Sequence, residues 1–81
     1  MLQVDLSFDL QHFSHGLESL QIEAATVREL LEKLDIRFPG LSAKIQKDMA
    51  VTINGVIYED ALLEPIEDGS EIYFIPKISG G

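Results

Sequence analysis

The sequence predicts an α+β domain in which a mixed sheet of four to five strands packs against one main helix. Three observations support this class: a strictly alternating apolar segment near the start, an amphipathic segment with a helix-capping signal, and a tight hairpin signal followed by a last apolar segment. Helices placed between strand segments in this way cover one face of a single sheet. The 81 residues, 46% of them apolar, are enough for one compact domain and no second core.

The first strand segment has a period of two. Apolar residues occupy every second position from 2 to 10: Leu2, Val4, Leu6, Phe8 and Leu10. This pattern predicts a strand over residues 2–10 with one buried face. Ser14 and Gly16 favour a turn, and Leu20 and Ile22 then alternate with polar residues. We therefore expect the first two strands to form an antiparallel hairpin.

A helix is predicted to begin after Thr26. Thr26 and Glu29 have the spacing of a capping box, in which the Thr26 hydroxyl accepts the Glu29 backbone N–H and the Glu29 carboxylate returns to the Thr26 backbone N–H. The apolar residues that follow recur with helical spacing: Val27, Leu30, Leu31 and Leu34. Residues 38–40, Phe-Pro-Gly, should end this helix, and residues 41–47 can add one or two further turns.

The sequence of the second half of the chain predicts three strands. Asn54 and Gly55 are the pair best suited to a two-residue type I′ turn between residues 51–53 and 56–58. Residues 71–76 form the last strand segment. Because the first and last strands are the most apolar, we expect them to pair in parallel at the centre of the sheet, which is the ubiquitin-like β-grasp arrangement. Residues 1–76 would form the domain, and residues 77–81 a flexible tail.

The composition of the chain argues against several classes of function. The formal charge of −8 argues against a nucleic acid partner, whose phosphates would repel this chain. The sequence contains no cysteine, so a disulfide framework and thiolate chemistry are excluded. No basic segment precedes an apolar run at the start, and no apolar segment approaches 18 residues, so we expect a cytoplasmic protein without a membrane partner.

Intrinsic catalysis is not predicted. The sequence shows no Ser-His-Asp pattern and no glycine-rich phosphate loop. His12 and His15 fall in a segment expected to be a turn, with no third ligand nearby, so a polar turn is favoured over a metal site. We expect no metal and no bound cofactor.

The sequence ends in Ser79-Gly80-Gly81, directly after the last strand segment. Residues without a Cβ fit into a narrow slot, so a Gly-Gly end can deliver a terminal carboxylate into the active site of a partner. The six residues from Pro76 to Gly81 would span roughly 20 Å when extended. The alternative is an ordinary frayed end.

The order and spacing of several short motifs resemble the MoaD/ThiS family of ubiquitin-like sulfur carriers. These motifs are residues 26–31, 53–55, 68–72 and 74–76, followed by the ending at 79–81. The resemblance covers roughly residues 24–81, and within the family it is closest to small subunits of molybdopterin synthase.

This resemblance implies a function for the tail. Gly81 would be adenylated at the expense of ATP by an E1-like adenylyltransferase partner, and then converted to a thiocarboxylate with sulfur from a persulfide donor. Ile78, Ser79, Gly80 and Gly81 would enter the partner's tunnel. The sulfur acceptor would be an enzyme such as the large subunit of molybdopterin synthase. The chain would thus be a protein cosubstrate in cofactor biosynthesis and no enzyme itself.

Several alternatives remain open at the level of sequence. The sulfur could serve thiamin, cysteine or another metabolite, or Gly81 could be joined to lysines of target proteins. A non-covalent interaction domain with incidental glycines is a further alternative. Candidate docking residues on the body are Phe74 and Pro76, with Tyr73 on the opposite face of the strand from Phe74; whichever aromatic faces the helix is expected to pack in the core.

Overall fold

The computed structural model describes residues 1–59 and 62–77, without the side chains of Phe8 and Asp9. Within these residues, five strands and three helices follow one another. In order, they are β1 (Leu2–Asp5), α1 (Phe8–Gln11), β2 (Ser19–Ile22), α2 (Val27–Arg37), α3 (Leu41–Asp48), β3 (Met49–Ile53), β4 (Val56–Tyr58) and β5 (Glu71–Pro76).

The strands form one mixed sheet in the order β2-β1-β5-β3-β4. β1 and β5 pair in parallel, with Val4 opposite Ile72, and the other neighbouring strands are antiparallel. The parallel pairing of the first and last strands confirms the β-grasp prediction. β5 is therefore the central strand, with a hydrogen-bonded neighbour on each side, and the chain beyond it leaves from the middle of the sheet.

The first strand is shorter than predicted. β1 ends at Asp5, and residues 8–11 form the short helix α1, so the expectation of a strand over residues 2–10 is wrong in its second half. Leu6 and Leu10 are nonetheless both buried. Leu6 precedes α1 and Leu10 lies within it, so both side chains reach the core although the strand ends at Asp5. The antiparallel pairing of β1 with β2 is as predicted.

α2 begins at the predicted capping residue. The Thr26 hydroxyl accepts the backbone N–H of Glu29 at 3.2 Å, as predicted. The Glu29 carboxylate accepts the N–H of Ala25 at 2.8 Å rather than that of Thr26, so the reciprocal bond lies one residue earlier than expected. Residues 38–40 separate α2 from α3, which confirms the predicted break and the second helical segment.

The core lies between the two longer helices and one face of the sheet. α2 contributes four buried side chains and α3 two, Leu41 and Ile45. The inner positions of β5, Ile72 and Phe74, pack into the same cluster. No helix in the described parts of the chain has both the length and the apolar content needed to cross a membrane.

The predicted hairpin turn joins β3 to β4. Asn54 and Gly55 have φ angles of 49° and 86°, the left-handed values that a type I′ turn requires at both central positions. Asn54 also bonds to the start of β5: its N–H donates to the Glu71 carbonyl and its side-chain oxygen accepts the Glu71 N–H, both at 2.9 Å. The turn therefore also fixes where the central strand begins.

Candidate functional site

The predicted reactive tail lies largely outside the described residues. Ile78, Ser79, Gly80 and Gly81 lie beyond residue 77, the last of the described residues. The site that can be described is the point from which this tail leaves, together with the sheet surface beside it.

Lys77 is fixed to the end of α3. Its backbone N–H donates to the carbonyl oxygen of Asp48, and its Nζ donates to the carbonyl oxygen of Gln46, both at 2.8 Å. Residue 77, which the sequence assigned to the tail, is thus bonded to the folded body. Residues 78–81 come between this anchor and the end of the Gly-Gly motif, and four fully extended residues reach about 14 Å.

The two aromatic residues of β5 lie on opposite faces of the sheet. Phe74 is 2% exposed and belongs to the core, so its side chain is not available for docking; this corrects its place among the candidates. Tyr73 is 44% exposed on the outer face, and Pro76 is exposed at the end of the strand. The negative charges of Asp5 and Glu71 raise the pKa of the Tyr73 phenol, with smaller effects from desolvation and a hydrogen bond with Asp5.

On the outer face of the sheet, Thr52, which carries a hydroxyl, lies next to Tyr73, and the apolar Ile57 follows on the edge strand. Thr52 on β3 lies opposite Tyr73 on one side and Ile57 of β4 on the other. Ile57 is 56% exposed, whereas Thr52 is 9% exposed. Within the described residues the Thr52 hydroxyl has no hydrogen-bond partner. Tyr73 and Ile57 are thus both exposed on the outer face of the sheet, with Tyr73 four residues before Lys77.

Three lysines surround Asp48 at the end of α3. Lys44 Nζ lies 2.8 Å from the Asp48 carboxylate. The hydrogen bond from Lys44 and the positive charges of Lys44, Lys47 and Lys77 hold the pKa of Asp48 below its ordinary value, against a smaller opposing effect of desolvation. Sequence reasoning missed this cluster because Lys77 follows Lys47 by thirty residues and reaches it only through the pairing of β5 with β3.

The two histidines are exposed and separate from this site. His12 caps the end of α1, and its ring lies edge-on to Phe13 with centroids 5.9 Å apart. His15 takes a left-handed backbone conformation with φ of 56°. Over residues 1–59 and 62–77, no group of three or more His, Cys, Asp or Glu side chains is arranged to hold a metal ion.

Comparison with known proteins identifies a family and a curated relative. The model of the ThiS family matches residues 9–81. The molybdopterin synthase sulfur carrier subunit of Pyrenophora tritici-repentis (strain Pt-1C-BFP) is 35% identical over an alignment of 57 positions, and the alignment covers 67% of this chain and 61% of that relative. The match thus spans less than two thirds of the relative's length.

Two solved structures have a similar fold along nearly the whole chain. The first, from the BexX/CysO complex of Amycolatopsis orientalis, has a TM-score of 0.86 at 21% identity and covers 100% of both chains. The second is SAMP1 (small archaeal modifier protein 1) from Haloferax volcanii, with a TM-score of 0.76 at 26% identity, covering 99% of this chain and 98% of that one. The described residues therefore have the ubiquitin-like β-grasp fold that these solved structures share.

Proposed function

The chain belongs to the ThiS family, and we propose that it is a sulfur carrier whose Gly81 carboxylate is converted to a thiocarboxylate by partner enzymes. The observation that carries the proposal is the family match, which extends through the Gly-Gly ending to residue 81. The fold supports it, because the central strand leads directly into that ending.

The chemistry requires activation, because a carboxylate resists nucleophilic attack. In the proposed first step, an oxygen of the Gly81 carboxylate attacks the α-phosphorus of ATP and pyrophosphate leaves, which gives an acyl-adenylate. The terminal sulfur of a persulfide then attacks the acyl carbon and AMP leaves. A thiol cleaves the resulting sulfur–sulfur bond, so that the carrier keeps a thiocarboxylate and the two thiol groups end as a disulfide. ATP is the cosubstrate of the partner, and the proposal places the chain in the cytoplasm.

The geometry of the anchor supports this use of the tail. Lys77 is tied to α3 by two hydrogen bonds, so the body and the reactive end are separated by only four residues. A reach of about 14 Å suits a partner whose reaction centre lies a short way inside a channel. Ser79, Gly80 and Gly81 are small residues, and the two glycines in particular let a narrow channel admit the backbone.

Molybdopterin synthesis is the favoured destination of the sulfur. The curated relative is named as a molybdopterin synthase sulfur carrier subunit. We propose that an E1-like adenylyltransferase activates this chain, that a persulfide protein supplies the sulfur, and that a large subunit of molybdopterin synthase accepts it. Carriers for thiamin, cysteine or another metabolite would use the same terminal chemistry, so identifying the acceptor enzyme decides between them.

Attachment to proteins is the second candidate function. SAMP1, named as a small archaeal modifier protein, shares 26% of its residues with this chain and the same fold. In that case a lysine amine of the target, rather than a sulfur nucleophile, would attack the acyl carbon and form an amide bond.

Mass spectrometry of the chain separates these functions. The chain is incubated with the E1-like enzyme of the same organism, ATP and a persulfide donor, and its carboxyl-terminal peptide is then analysed. We expect one oxygen of Gly81 to be replaced by sulfur. A peptide that stays unmodified, or whose only product is a lysine-linked conjugate, would contradict the sulfur carrier assignment.

A further inference from the structure

The positive charges of the chain are concentrated at the base of the tail. The chain has only six lysine and arginine residues and a formal charge of −8. Three of the six, Lys44, Lys47 and Lys77, act electrostatically on a single carboxylate, that of Asp48. We call these three residues the lysine cluster. Asp48 lies among these lysines, and Glu59 lines the same pocket as Lys77, so within the described residues three positive charges meet two acids at this place on an acidic protein.

Two members of the cluster are held in place by the protein. The Lys44 ammonium lies 2.8 Å from the Asp48 carboxylate, one helical turn away on α3. The Lys77 ammonium is 2.8 Å from the Gln46 carbonyl oxygen. Both ammonium groups are thus positioned before any partner arrives, which lowers the conformational entropy lost on binding. Lys47, the third member, is exposed and lies in the last turn of α3.

The stability of α3 alone does not explain why the three lysines of the cluster lie together. A lysine in the last turn of a helix interacts favourably with its carbonyl end, which explains Lys47, and an i,i+4 ion pair with Asp48 explains Lys44. Lys77 does not belong to the helix: it follows β5 and reaches the same place from another part of the chain. The convergence of charges from two elements occurs where the chain leaves the body.

We propose that the lysine cluster docks on an acidic patch of the activating partner, at the mouth of the channel that receives Gly81. This inference rests on the proposed function and adds the chemistry of the surface that recognises the carrier. With about 14 Å of chain between Lys77 and Gly81, the cluster stays at the channel mouth when the tail is inserted. An acidic rim at the channel mouth would attract the lysine cluster and repel the acidic remainder of the carrier surface. The carrier would therefore approach with its tail towards the channel.

Lys47 is the residue for the test, because the other two lysines also bond to the body. Lys47→Glu reverses one charge, and Lys47→Gln removes it. Lys33→Glu is the control for net charge: it makes the same charge change on α2, and because it also removes the bond from the Lys33 ammonium to the Glu23 carbonyl oxygen, its KM is compared only where it is fully folded. Thermal unfolding of all variants identifies any loss of folded protein before activity is compared.

The measurement is ATP–pyrophosphate exchange by the E1-like enzyme of the same organism, at a series of carrier concentrations and at low and high salt. We expect Lys47→Glu to raise the KM for the carrier about tenfold at low salt with little change in kcat, and Lys47→Gln to raise it less. High salt should reduce these differences, since the charges are solvent-exposed. Lys33→Glu should keep the KM of the unaltered chain.

Each contrary outcome has a distinct meaning. Suppose that the unaltered chain supports exchange and that Lys47→Glu shows the same KM as the unaltered chain, or the same KM as Lys33→Glu. The docking role of the cluster is then wrong, while the carrier function stands. If the unaltered chain supports no exchange at any concentration, the carrier function fails and the docking proposal fails with it.

Discussion

The backbone N–H of Lys77 donates a hydrogen bond of 2.8 Å to the carbonyl oxygen of Asp48. This bond joins the residue after the central strand to the last residue of α3, immediately before β3 begins. The register of the sheet explains the contact, because Met49 pairs with Pro76. The folded body therefore extends one residue beyond β5, and the distance from the anchor to Gly81 is set by four residues.

Substituting Lys77 tests this anchor. Lys77→Pro removes the backbone N–H as well as the ammonium, whereas Lys77→Ala removes only the bond from Nζ to the Gln46 carbonyl. We expect the proline variant to lose about 1 kcal/mol more unfolding free energy than the alanine variant, because a neutral backbone hydrogen bond contributes about that amount. Urea unfolding followed by circular dichroism measures both. Equal stability of the two variants would show that the bond to Asp48 contributes nothing.

Thr52 offers a stabilising substitution on the outer face of the sheet. Its buried hydroxyl has no partner among the described residues, so it bears a desolvation cost without a compensating hydrogen bond. Thr52→Val keeps the branched shape that suits a strand, and we expect it to raise the unfolding free energy by about 1 kcal/mol.

The same substitution at another threonine provides the control. The Thr26 hydroxyl accepts the Glu29 N–H at the start of α2, so Thr26→Val should lower the unfolding free energy by about 1 kcal/mol. Chemical denaturation of both variants gives the signs directly. A destabilised Thr52→Val variant would mean that the hydroxyl finds a partner in solution.

Local sequence signals were sufficient for most of the fold. The bond from the Glu29 N–H to the Thr26 hydroxyl and the turn at Asn54 and Gly55 each have a short-range physical cause, and both formed where predicted, while the return bond of Glu29 goes to Ala25. The parallel pairing of β1 with β5 followed from their apolar character. The exception was the segment after Asp5, where the apolar alternation continues to Leu10 although residues 8–11 form α1.

Less of the candidate site than of the fold could be predicted from the sequence. Gly81 was identified from its place in the chain and from family resemblance, and it lies outside the described residues. The lysine cluster was missed, because only the tertiary pairing brings Lys77 to α3. Phe74 and Tyr73 are neighbours, and from the sequence either could be the exposed aromatic residue. The alternation of β5 alone does not determine which of the two faces the helices. The structure assigns Phe74 to the core and Tyr73 to the surface.

The central claim is that Gly81 is the group on which the activating enzyme acts. The most direct test compares ATP–pyrophosphate exchange by that enzyme with the full chain and with a chain lacking Gly81, together with the melting temperature of each. The account predicts that removing Gly81 abolishes exchange while the melting temperature moves little, since Lys77 still anchors the body. Undiminished exchange by the shortened chain would contradict it.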